Sequence, residues 1–289
     1  MFDYVIVGAG SAGCVLANRL SEDPDVQVLL LEAGPPDTNE NIHVPLGYLK
    51  LARTEVDWDY NSAPEHECDG RRIPLPRGRV LGGSSSVNAM VYIRGNPLDY
   101  DAWGVAGWSW ADLLPYFLKA EDNERGASPL HGVGGPLPVS EERSGNAMSH
   151  AFVEAGVEAG LDRNEDFNGA QQDGVGMYQV TQRGGMRASA AVAYLHPVME
   201  RANLTVMPFM QAHRVLFEGT RAVGVVASQL GQLQELRAQR EVILCGGSYN
   251  SPQLLMLSGV GPAEHLQLRE IDVLLDRPAV GENLSDHPA

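Results

Sequence analysis

Positive charge, cysteine and long apolar runs are all scarce in this sequence of 289 residues. Lysine occurs only at Lys50 and Lys119, and 21 basic residues face 37 acidic ones, for a formal net charge of −16. Because lysine and arginine drive binding to nucleic acids and anionic membranes, this balance argues against both partners. No apolar run approaches the roughly 20 residues that span a bilayer, so no transmembrane segment is predicted.

The three cysteines, Cys14, Cys68 and Cys245, are odd in number and widely spaced. That pattern suits reduced thiols better than a disulfide framework, and the apolar surroundings of Cys14 and Cys245 predict core positions. The chain begins directly in an apolar segment, without the charged leader of a signal peptide. We therefore expect a cytoplasmic protein, long enough for one large domain or two ordinary ones.

The first informative motif is a glycine-rich turn at residues 8–13. It follows the apolar run 2–7, which has the composition of a buried strand, and it leads into a predicted helix at 12–20. A second predicted strand, 26–31, ends at Glu32. This order, with an acidic residue about 20 residues after the turn, is typical of a dinucleotide-binding βαβ unit.

The residue types fit that chemistry. Gly8 permits the tight turn, Gly10 lets backbone approach a pyrophosphate, and Gly13 lets the helix pack closely on the strand. Free N–H groups at the start of the helix would face the diphosphate. Glu32 can accept hydrogen bonds from ribose hydroxyls and would repel a 2′-phosphate, which disfavours an NADP-type ligand.

Composition and periodicity predict the remaining segments. The segment 34–80 is predicted to be extended loop, and the aromatic stripe of 98–122 is expected to pack in the core rather than line a ligand site. Further helices and strands are predicted as follows: a helix over 149–160, a strand at 203–207, a hairpin of 214–217 and 222–226, a strand at 241–245, and a helix through 251–257 with Ser251 as N-cap and Pro252 in its first turn.

Other catalytic signals are weak. Residues 65–69 include metal-ligand types but lack a second ligand pair at zinc spacing, so a solvated charged loop is the better interpretation. Neither a nucleophile elbow nor a cysteine–histidine pairing is present. No motif assigns acid–base work to any of the eight histidines, which are His43, His66, His131, His150, His196, His213, His265 and His287.

A second glycine-rich turn, at residues 82–88, changes the interpretation because the sequence around it resembles a known family. Residues 78–92 and 247–261 are similar to the two signatures of the glucose–methanol–choline (GMC) oxidoreductases, and 280–287 to a further landmark of that family. The choline-dehydrogenase-like branch is nearest. Between the signatures, the positions that follow the family pattern are Asp166, Asn168, Gly169, Gly185, Arg187, Ser189, Tyr194 and Leu195.

The resemblance implies an α/β fold: a Rossmann-like FAD-binding domain with three-layer ββα character, plus part of an α+β substrate-binding domain. Residues 1–100 would form the first part of the FAD-binding domain. Residues 101–200 would form an incomplete portion of the substrate or cap domain. Residues 201–289 would return to the FAD-binding domain.

The resemblance also implies FAD as cofactor. Ala212 would lie near the adenine, and the residues from Val80 onward would lie along the flavin and the ribityl chain. Capping of a helix by Ser84–Ser86 is the simpler alternative, and it can coexist with flavin contact. Some relatives attach the flavin through a histidine where this chain has Val87, so non-covalent FAD is expected. The implied contacts are Gly8, Gly10, Ser11, Ala12, Gly13, Glu32, Val80, Gly83, Ser84, Asn88, Ala89, Met90, Val91 and Ala212.

The implied activity is oxidation of the CH–OH group of alcohols, with hydride transfer to flavin N5. In the family, the catalytic histidine and its partner lie in the C-terminal part of a longer chain, and no residue here matches that base. We therefore expect no catalytic residue in this sequence and an isolated chain that is inactive. A complementing C-terminal polypeptide or an oligomer is the expected partner.

Three alternatives remain open at this stage. The chain is a flavin-binding fragment or subunit without activity of its own, or it belongs to a light-driven fatty-acid decarboxylase of the same family. An NAD-dependent dehydrogenase ranks lowest, because the second glycine-rich turn at 82–88 has no role there.

Overall fold

The computed structural model describes residues 1–286 and divides the chain into two compact units. The family landmark at 280–287 ends in His287, which lies outside the described residues. Met1–Asn39, Leu49–Val87 and Ala190–Ala289 form the first unit, and Glu40–Tyr48 and Asn88–Ser189 form the second unit.

Most strands belong to the first unit and most helices are short. The strands are β1 (Phe2–Val7), β2 (Val28–Leu31), β3 (Tyr60–Asn61), β4 (Pro74–Leu75), β5 (Glu121–Asn123), β6 (Leu137–Val139), β7 (Gln182–Arg183), β8 (Met186–Arg187), β9 (Leu204–Met207), β10 (Gln211–Glu218), β11 (Arg221–Gln229), β12 (Gln232–Leu244), β13 (Val260–Gly261) and β14 (Leu275–Asp276). The α-helices are α1 (Ser11–Leu20), α2 (Glu40–His43), α3 (Pro97–Ala102), α4 (Trp110–Ala120), α5 (Ala147–Glu158), α6 (Gly247–Leu257) and α7 (Ala263–Leu268). Short 3₁₀ segments lie at Pro45–Lys50, His66–Cys68, Gly83–Ser86 and His196–Val198, and a π-helical turn at Ala191–Leu195.

A six-stranded sheet in the order β10-β11-β12-β1-β2-β9 forms the centre of the first unit. Strands β12, β1, β2 and β9 run parallel, and β10, β11 and the start of β12 form an antiparallel meander. All four residues of β2 are buried, as are Val5, Ile6 and Val7 of β1. Strands buried on both faces read as continuous apolar runs, which is the pattern that predicted them. The expected α/β, Rossmann-like fold is confirmed.

Helix α1 and strands β1 and β9 follow the sequence-based prediction to within a residue or so. The prediction for α6 is wrong at its start. The helix begins at Gly247 with Gly246 as N-cap, so Ser251 is not the cap and Pro252 lies inside the helix. The backbone of Gly247 has a φ of +81°, a conformation that residues with a side chain rarely adopt. Glycine at this position therefore lets the chain turn from β12 directly into α6.

The predicted core position of the aromatic stripe is also wrong for Trp103, Trp108 and Tyr116, the last of which is 69% exposed. Trp103 and Trp108 are 54% and 52% exposed. The rings of the two tryptophans contact each other with their centroids 6.0 Å apart. The ring of Trp103 also meets the ring of Tyr100 edge-on, at a centroid distance of 5.2 Å. Aromatic pairs of this kind can hold a surface cluster together without deep burial.

A buried polar network lies inside the second unit. Arg94 donates from Nη2 to Oε2 of Glu121 at 2.8 Å, and both side chains are almost completely buried. The same oxygen accepts the N–H of Gly132 at 2.7 Å, and Oε1 lies 3.1 Å from Nδ1 of His131. Both carboxylate oxygens of Glu121 are therefore bonded, which offsets the cost of burying the charge.

The compact units change at 87/88 and 189/190, whereas the division predicted from the sequence changes at 100/101 and 200/201. The assignment of the middle part to substrate binding stays a prediction. Within residues 1–286, no helix is both long and apolar enough to cross a membrane.

Replacement of Arg94 by methionine is expected to lower the free energy of unfolding by about 3–5 kcal/mol, because it leaves the Glu121 carboxylate buried without its counter-charge. Arg143→Met is the matched control, since the ion pair of Arg143 with Glu124 is partly exposed and is worth less than about 1 kcal/mol. Urea unfolding measures both values. An equally small loss of unfolding free energy in both variants would contradict the role of Arg94 as the counter-charge of the buried Glu121.

Candidate functional site

A cavity of about 720 Å³ opens at the carboxyl ends of β1, β2 and β12, entirely within the first unit. The segment between β9 and β10 and the first turn of α6 contribute further residues to its walls. Its volume lies in the range of about 300–1,000 Å³ that is usual for ligand sites. Ligands of open α/β sheets bind at this edge, beyond the carboxyl ends of the strands.

The N-terminus of α1 faces the cavity through Gly10, Ser11 and Ala12. Gly10 is the N-cap, and no side chain in the described part of the chain caps the helix at this position. The free N–H groups of the first turn therefore remain available as donors, and the helix dipole favours an anion there. This arrangement of free N–H donors suits a phosphate group.

The two glycine-rich turns of the sequence meet at this point. Gly82 donates its N–H to the carbonyl of Ala9 at 2.7 Å. A Cβ on Gly83, whose φ is +55°, would lie 2.7 Å from Cα of Gly10, and a Cβ on Gly8 would lie 2.6 Å from the carbonyl oxygen of Cys245. Backbone thus approaches backbone at distances that no side chain permits, and this leaves a cradle for the ligand.

Glu32 stands at the end of β2 as a buried carboxyl group. Its Oε2 accepts the N–H of Ala9 and its Oε1 accepts the N–H of Gly34, both at 2.9 Å. Burial raises the pKa of Glu32 to about 7, against the lowering effect of these two bonds and of the nearby Arg79. Each oxygen keeps a second lone pair, so the carboxylate can still accept from a ribose hydroxyl.

The remaining residues predicted to bind the cofactor divide into four groups. Gly83, Ser84 and Ala212 line the cavity with Gly8. Gly13 does not line it: a Cβ there would lie 1.9 Å from the carbonyl oxygen of Gly8, so this glycine serves the packing of α1 on its strand. The other two groups are the fully buried Val80 of the first unit, and Asn88, Ala89, Met90 and Val91 of the second unit.

Sequence reasoning missed one wall of the cavity. Trp58 and Tyr60 stack with their centroids 5.6 Å apart, and Tyr60 donates its hydroxyl to Oδ1 of Asn250 at 2.7 Å. The guanidinium of Arg77 lies over the ring of Tyr249 at 4.4 Å. Trp58 and Tyr60, which precede the second glycine-rich turn, were the available signal for this wall. The segment 34–80 has no periodicity that points to a ligand site, so the sequence did not single them out.

The cysteine predictions have mixed outcomes. Cys14 is fully buried, as expected, and donates from Sγ to the carbonyl of Ala9 at 3.2 Å. Cys245 is only partly buried and lines the cavity, so its assignment to the core is wrong. Burial raises the pKa of both thiols, which disfavours the reactive thiolate form.

With this geometry in place, the comparison with known proteins is decisive. The family model described as GMC oxidoreductase matches residues 2–289. The chain belongs to the GMC oxidoreductase family. The chain is 51% identical over 294 residues to the alcohol dehydrogenase [acceptor] of Pseudomonas putida, and 50% identical over 297 residues to the mitochondrial choline dehydrogenase of Homo sapiens.

Solved structures agree with this assignment. An FAD-dependent oxidoreductase from Chaetomium thermophilum superposes with a TM-score of 0.90 at 31% identity, over 96% of this chain and 51% of that one. The two relatives are matched over 99% of this GMC chain but over only 53% and 50% of their own lengths. The chain thus spans about half the length of the curated relatives it matches.

FAD is the cofactor of the family, and that expectation is confirmed. The residues of this chain fit its ADP half: a glycine cradle and an uncapped helix start suit the diphosphate, and a buried carboxylate suits a ribose. Which of them contact FAD stays a prediction.

Gly10→Ala is expected to weaken binding of FAD and ADP by at least about tenfold, or about 1.4 kcal/mol, without unfolding the chain. The added methyl group would lie 3.9 Å from Cys245 O and 4.0 Å from Cα of Gly83, at a φ of −75° that alanine accepts. Only the ligand side of the cradle is filled. Titration calorimetry with FAD and with ADP measures the loss.

Gly13→Ala is the matched control, because its methyl group collides with Gly8 O rather than with the ligand. It should lower the free energy of unfolding by about 1–3 kcal/mol, whereas Gly10→Ala should change it by less than about 0.5 kcal/mol. If a folded Gly10→Ala chain bound FAD and ADP with unchanged affinity, the prediction that the turn at Gly10 contacts the diphosphate would be wrong.

Glu32 should leave a signature in the pH dependence of stability. In the folded chain the pKa of Glu32 is about 7, whereas the ordinary pKa of a glutamate side chain is 4.5. The folded chain therefore keeps the proton of Glu32 up to about pH 7. The wild type should therefore lose stability relative to Glu32→Gln as pH rises from about 4.5 to about 7, by on the order of 3 kcal/mol. Urea midpoints across this range measure the difference.

Glu141→Gln is the control of opposite sign. The hydrogen bond from Arg125 lowers the pKa of Glu141, so its stabilisation is present above about pH 4.5 and is lost as pH falls through the folded value. The wild type should gain stability relative to Glu141→Gln as pH rises through the acidic range. A flat difference curve for Glu32 would show that its carboxyl group titrates normally.

Proposed function

We propose that this chain is the FAD-binding part of an oxidoreductase that acts on the CH–OH group of alcohols. The observation that carries the proposal is the meeting of two glycine-rich turns with Glu32 at one cavity. The names of the relatives, alcohol dehydrogenase and choline dehydrogenase, support alcohols as the substrate class.

Each part of the cavity has a separate role in this proposal. The turn of Gly10, Ser11 and Ala12 binds the diphosphate, Glu32 accepts hydrogen bonds from the ribose, and the backbone at Ala212 receives the adenine. Gly8 and Gly13 hold the turn in shape without contacting the ligand through side chains.

The flavin end of the proposal uses Gly83, Ser84 and the buried Val80 of the first unit. A contact of residues 88–91 with the flavin stays a prediction from the family resemblance. When bound, FAD supplies an isoalloxazine ring that accepts a hydride equivalent from the alcohol carbon. Val87 has no nucleophilic atom, so attachment of FAD through this position is excluded and binding is non-covalent.

Alcohol oxidation also needs a base that removes the hydroxyl proton. Among the histidines, His213 lines the cavity, but its Nε2 lies 2.7 Å from Ser228 Oγ and it stands beside the proposed adenine position, away from the proposed flavin end. The proposal assigns the base to the polypeptide that corresponds to the other half of the longer relatives. That polypeptide is the proposed partner, and a cytoplasmic location stays a prediction.

Calorimetric titration of the ligand-free chain tests the cofactor assignment. FAD and ADP should bind in competition with one another, NADPH should not compete because of its 2′-phosphate, and FMN should bind much more weakly than FAD because it lacks the ADP half. Binding of neither FAD nor ADP to a folded chain would refute the proposal.

Co-expression with the C-terminal half of the Pseudomonas putida relative tests the activity. The complex should reduce an artificial electron acceptor in the presence of a primary alcohol or choline, and the chain alone should not. Turnover by the chain alone, at the rate of the complex, would place the base within these 289 residues and overturn that part of the proposal.

A further inference from the structure

Arg79 carries a positive charge that no carboxylate neutralises by direct contact within residues 1–286. It forms no salt bridge with any of these residues, although the chain has 37 acidic residues against 21 basic ones. Its Nε is shielded from solvent and has no hydrogen-bond acceptor in the described part of the chain. A buried donor without an acceptor costs stability, so the position of this guanidinium needs an explanation other than its own bonding.

The guanidinium of Arg79 is held by an aromatic ring. Its Cζ lies 5.1 Å from the centroid of the Trp58 ring, a distance typical of a cation–π contact. Trp58 lines the cavity of the first unit and Arg79 does not, so Arg79 lies behind the cavity wall. A charge in this position acts on the cavity through its electric field rather than by donating to a ligand.

The backbone of Arg79 lies against the turn that binds Glu32. Arg79 donates its N–H to Val56 O at 2.7 Å, and a Cβ on Gly34 would lie 1.9 Å from Arg79 O. The N–H of the same Gly34 is donated to Oε1 of Glu32 at 2.9 Å. One shared turn thus fixes the backbone of Arg79 relative to the Glu32 carboxyl group.

The charge of Arg79 opposes the effect of burial on Glu32. Burial raises the pKa of Glu32 to about 7, and the positive charge of Arg79 is one of the effects that keep this pKa from rising further. Both oxygens of Glu32 already accept a backbone N–H. Protonation turns one of the oxygens into a donor, so fewer lone pairs remain for the hydroxyls of a ribose.

We propose that Arg79 is a positioning residue for nucleotide recognition: its charge, held behind the cavity wall by Trp58, keeps Glu32 ionised and able to accept hydrogen bonds from the ribose. This inference rests on the proposed function, in which Glu32 accepts from the ribose of FAD. It assigns Arg79 a role that requires no contact with the cofactor.

Arg77 provides a comparison on the same wall. Its guanidinium lies over the ring of Tyr249 at 4.4 Å and donates to Tyr249 Oη at 3.1 Å and to Pro76 O at 2.7 Å. Arg77 therefore has acceptors of its own, and it is not among the main causes of the pKa shift of Glu32. The two arginines carry the same charge, but only Arg79 is coupled to Glu32 in this proposal.

Other titratable and charged groups surround Glu32 on the neighbouring elements. Burial raises the pKa of the thiols of Cys14 and Cys245 and of the Tyr60 hydroxyl, so these groups stay neutral where Glu32 titrates. The full set is Cys14 on α1, Asp37 after β2, Tyr60 on β3, Arg77 after β4, His213 on β10, Cys245 after β12 and Tyr249 on α6. Because His213 and Asp37 remain in this set, the test needs a background that lacks the Glu32 carboxyl group.

Calorimetric titration of the ligand-free chain with FAD, between about pH 6 and about pH 9, tests the inference. FAD is the suitable probe because it lacks the terminal phosphate of ADP, which takes up a proton near about pH 6. Loss of the opposite charge should raise the pKa of Glu32 by about one unit, so the ionised fraction at about pH 7 falls from about one half to about one tenth. Arg79→Met should therefore weaken FAD binding about fivefold at about pH 7 and less than about twofold at about pH 9.

Two control variants separate charge from packing. Arg79→Lys keeps the charge and should bind FAD within about twofold of the wild type at every pH. Arg77→Met should leave the pH at which the affinity is half-maximal unchanged, whatever its effect on the affinity itself. A loss in Arg79→Met that is the same at all pH values would show that Arg79 only supports the wall, and it would overturn the inference, as would an unchanged affinity.

The same substitution in the Glu32→Gln background isolates the pair. If Arg79 acts through Glu32, Arg79→Met should change the FAD affinity of Glu32→Gln by less than about twofold at every pH, since coupled residues are non-additive. A loss equal to that in the wild-type background would show that the effect does not run through Glu32, and the inference would be wrong.

Urea midpoints of the ligand-free variants give a measurement that needs no FAD. The loss of stability relative to Glu32→Gln should end near about pH 7 with Arg79 present, and near about pH 8 in Arg79→Met relative to the double variant, because a raised folded-state pKa extends the loss upward. An unchanged end point would overturn the inference. A shifted end point in a chain that binds neither FAD nor ADP would refute the proposed function and leave the coupling of the two residues in place. If Arg79→Met does not fold, Arg79→Gln takes its place in all three measurements.

Discussion

The close approach of three backbone segments at the carboxyl edge of the sheet is the constraint on which the cavity depends. The turn at Gly8, the second turn at Gly83 and the end of β12 at Cys245 meet at distances that leave no room for a Cβ. The hydrogen bond from Gly82 to Ala9 holds two of these segments together. Because the walls are backbone rather than side chain, the site offers N–H donors at fixed positions, which is what a diphosphate requires.

Glu32 shows how the same geometry sets the electrostatics of the site. Its carboxyl group is buried, and two backbone N–H groups hold both oxygens. These bonds do not offset the desolvation fully, so its pKa is raised to about 7. The ionised form of Glu32 is thus disfavoured in the ligand-free chain, and in the proposed complex a ribose that donates hydrogen bonds to the carboxylate would stabilise that ionised form.

The division of labour in the fold follows from the order of the chain. The cavity that is proposed to bind the nucleotide is assembled within the first unit from segments at both ends of the sequence. The part that carries out proton transfer is proposed to lie in the other half of the longer relatives.

The sequence by itself determined the βαβ unit, the family and the cofactor, because each depends on local patterns: apolar runs at 2–7 and 26–31, glycines at fixed spacing, and one acidic residue after the second strand. It did not determine the start of α6, where the positive φ of Gly247 decides, or the surface position of Trp103 and Trp108. Only the tertiary structure decided that Gly13 supports packing rather than contact, and that Trp58 and Tyr249 belong to one cavity. Those properties depend on distances between residues far apart in the chain, and local sequence patterns do not encode such distances.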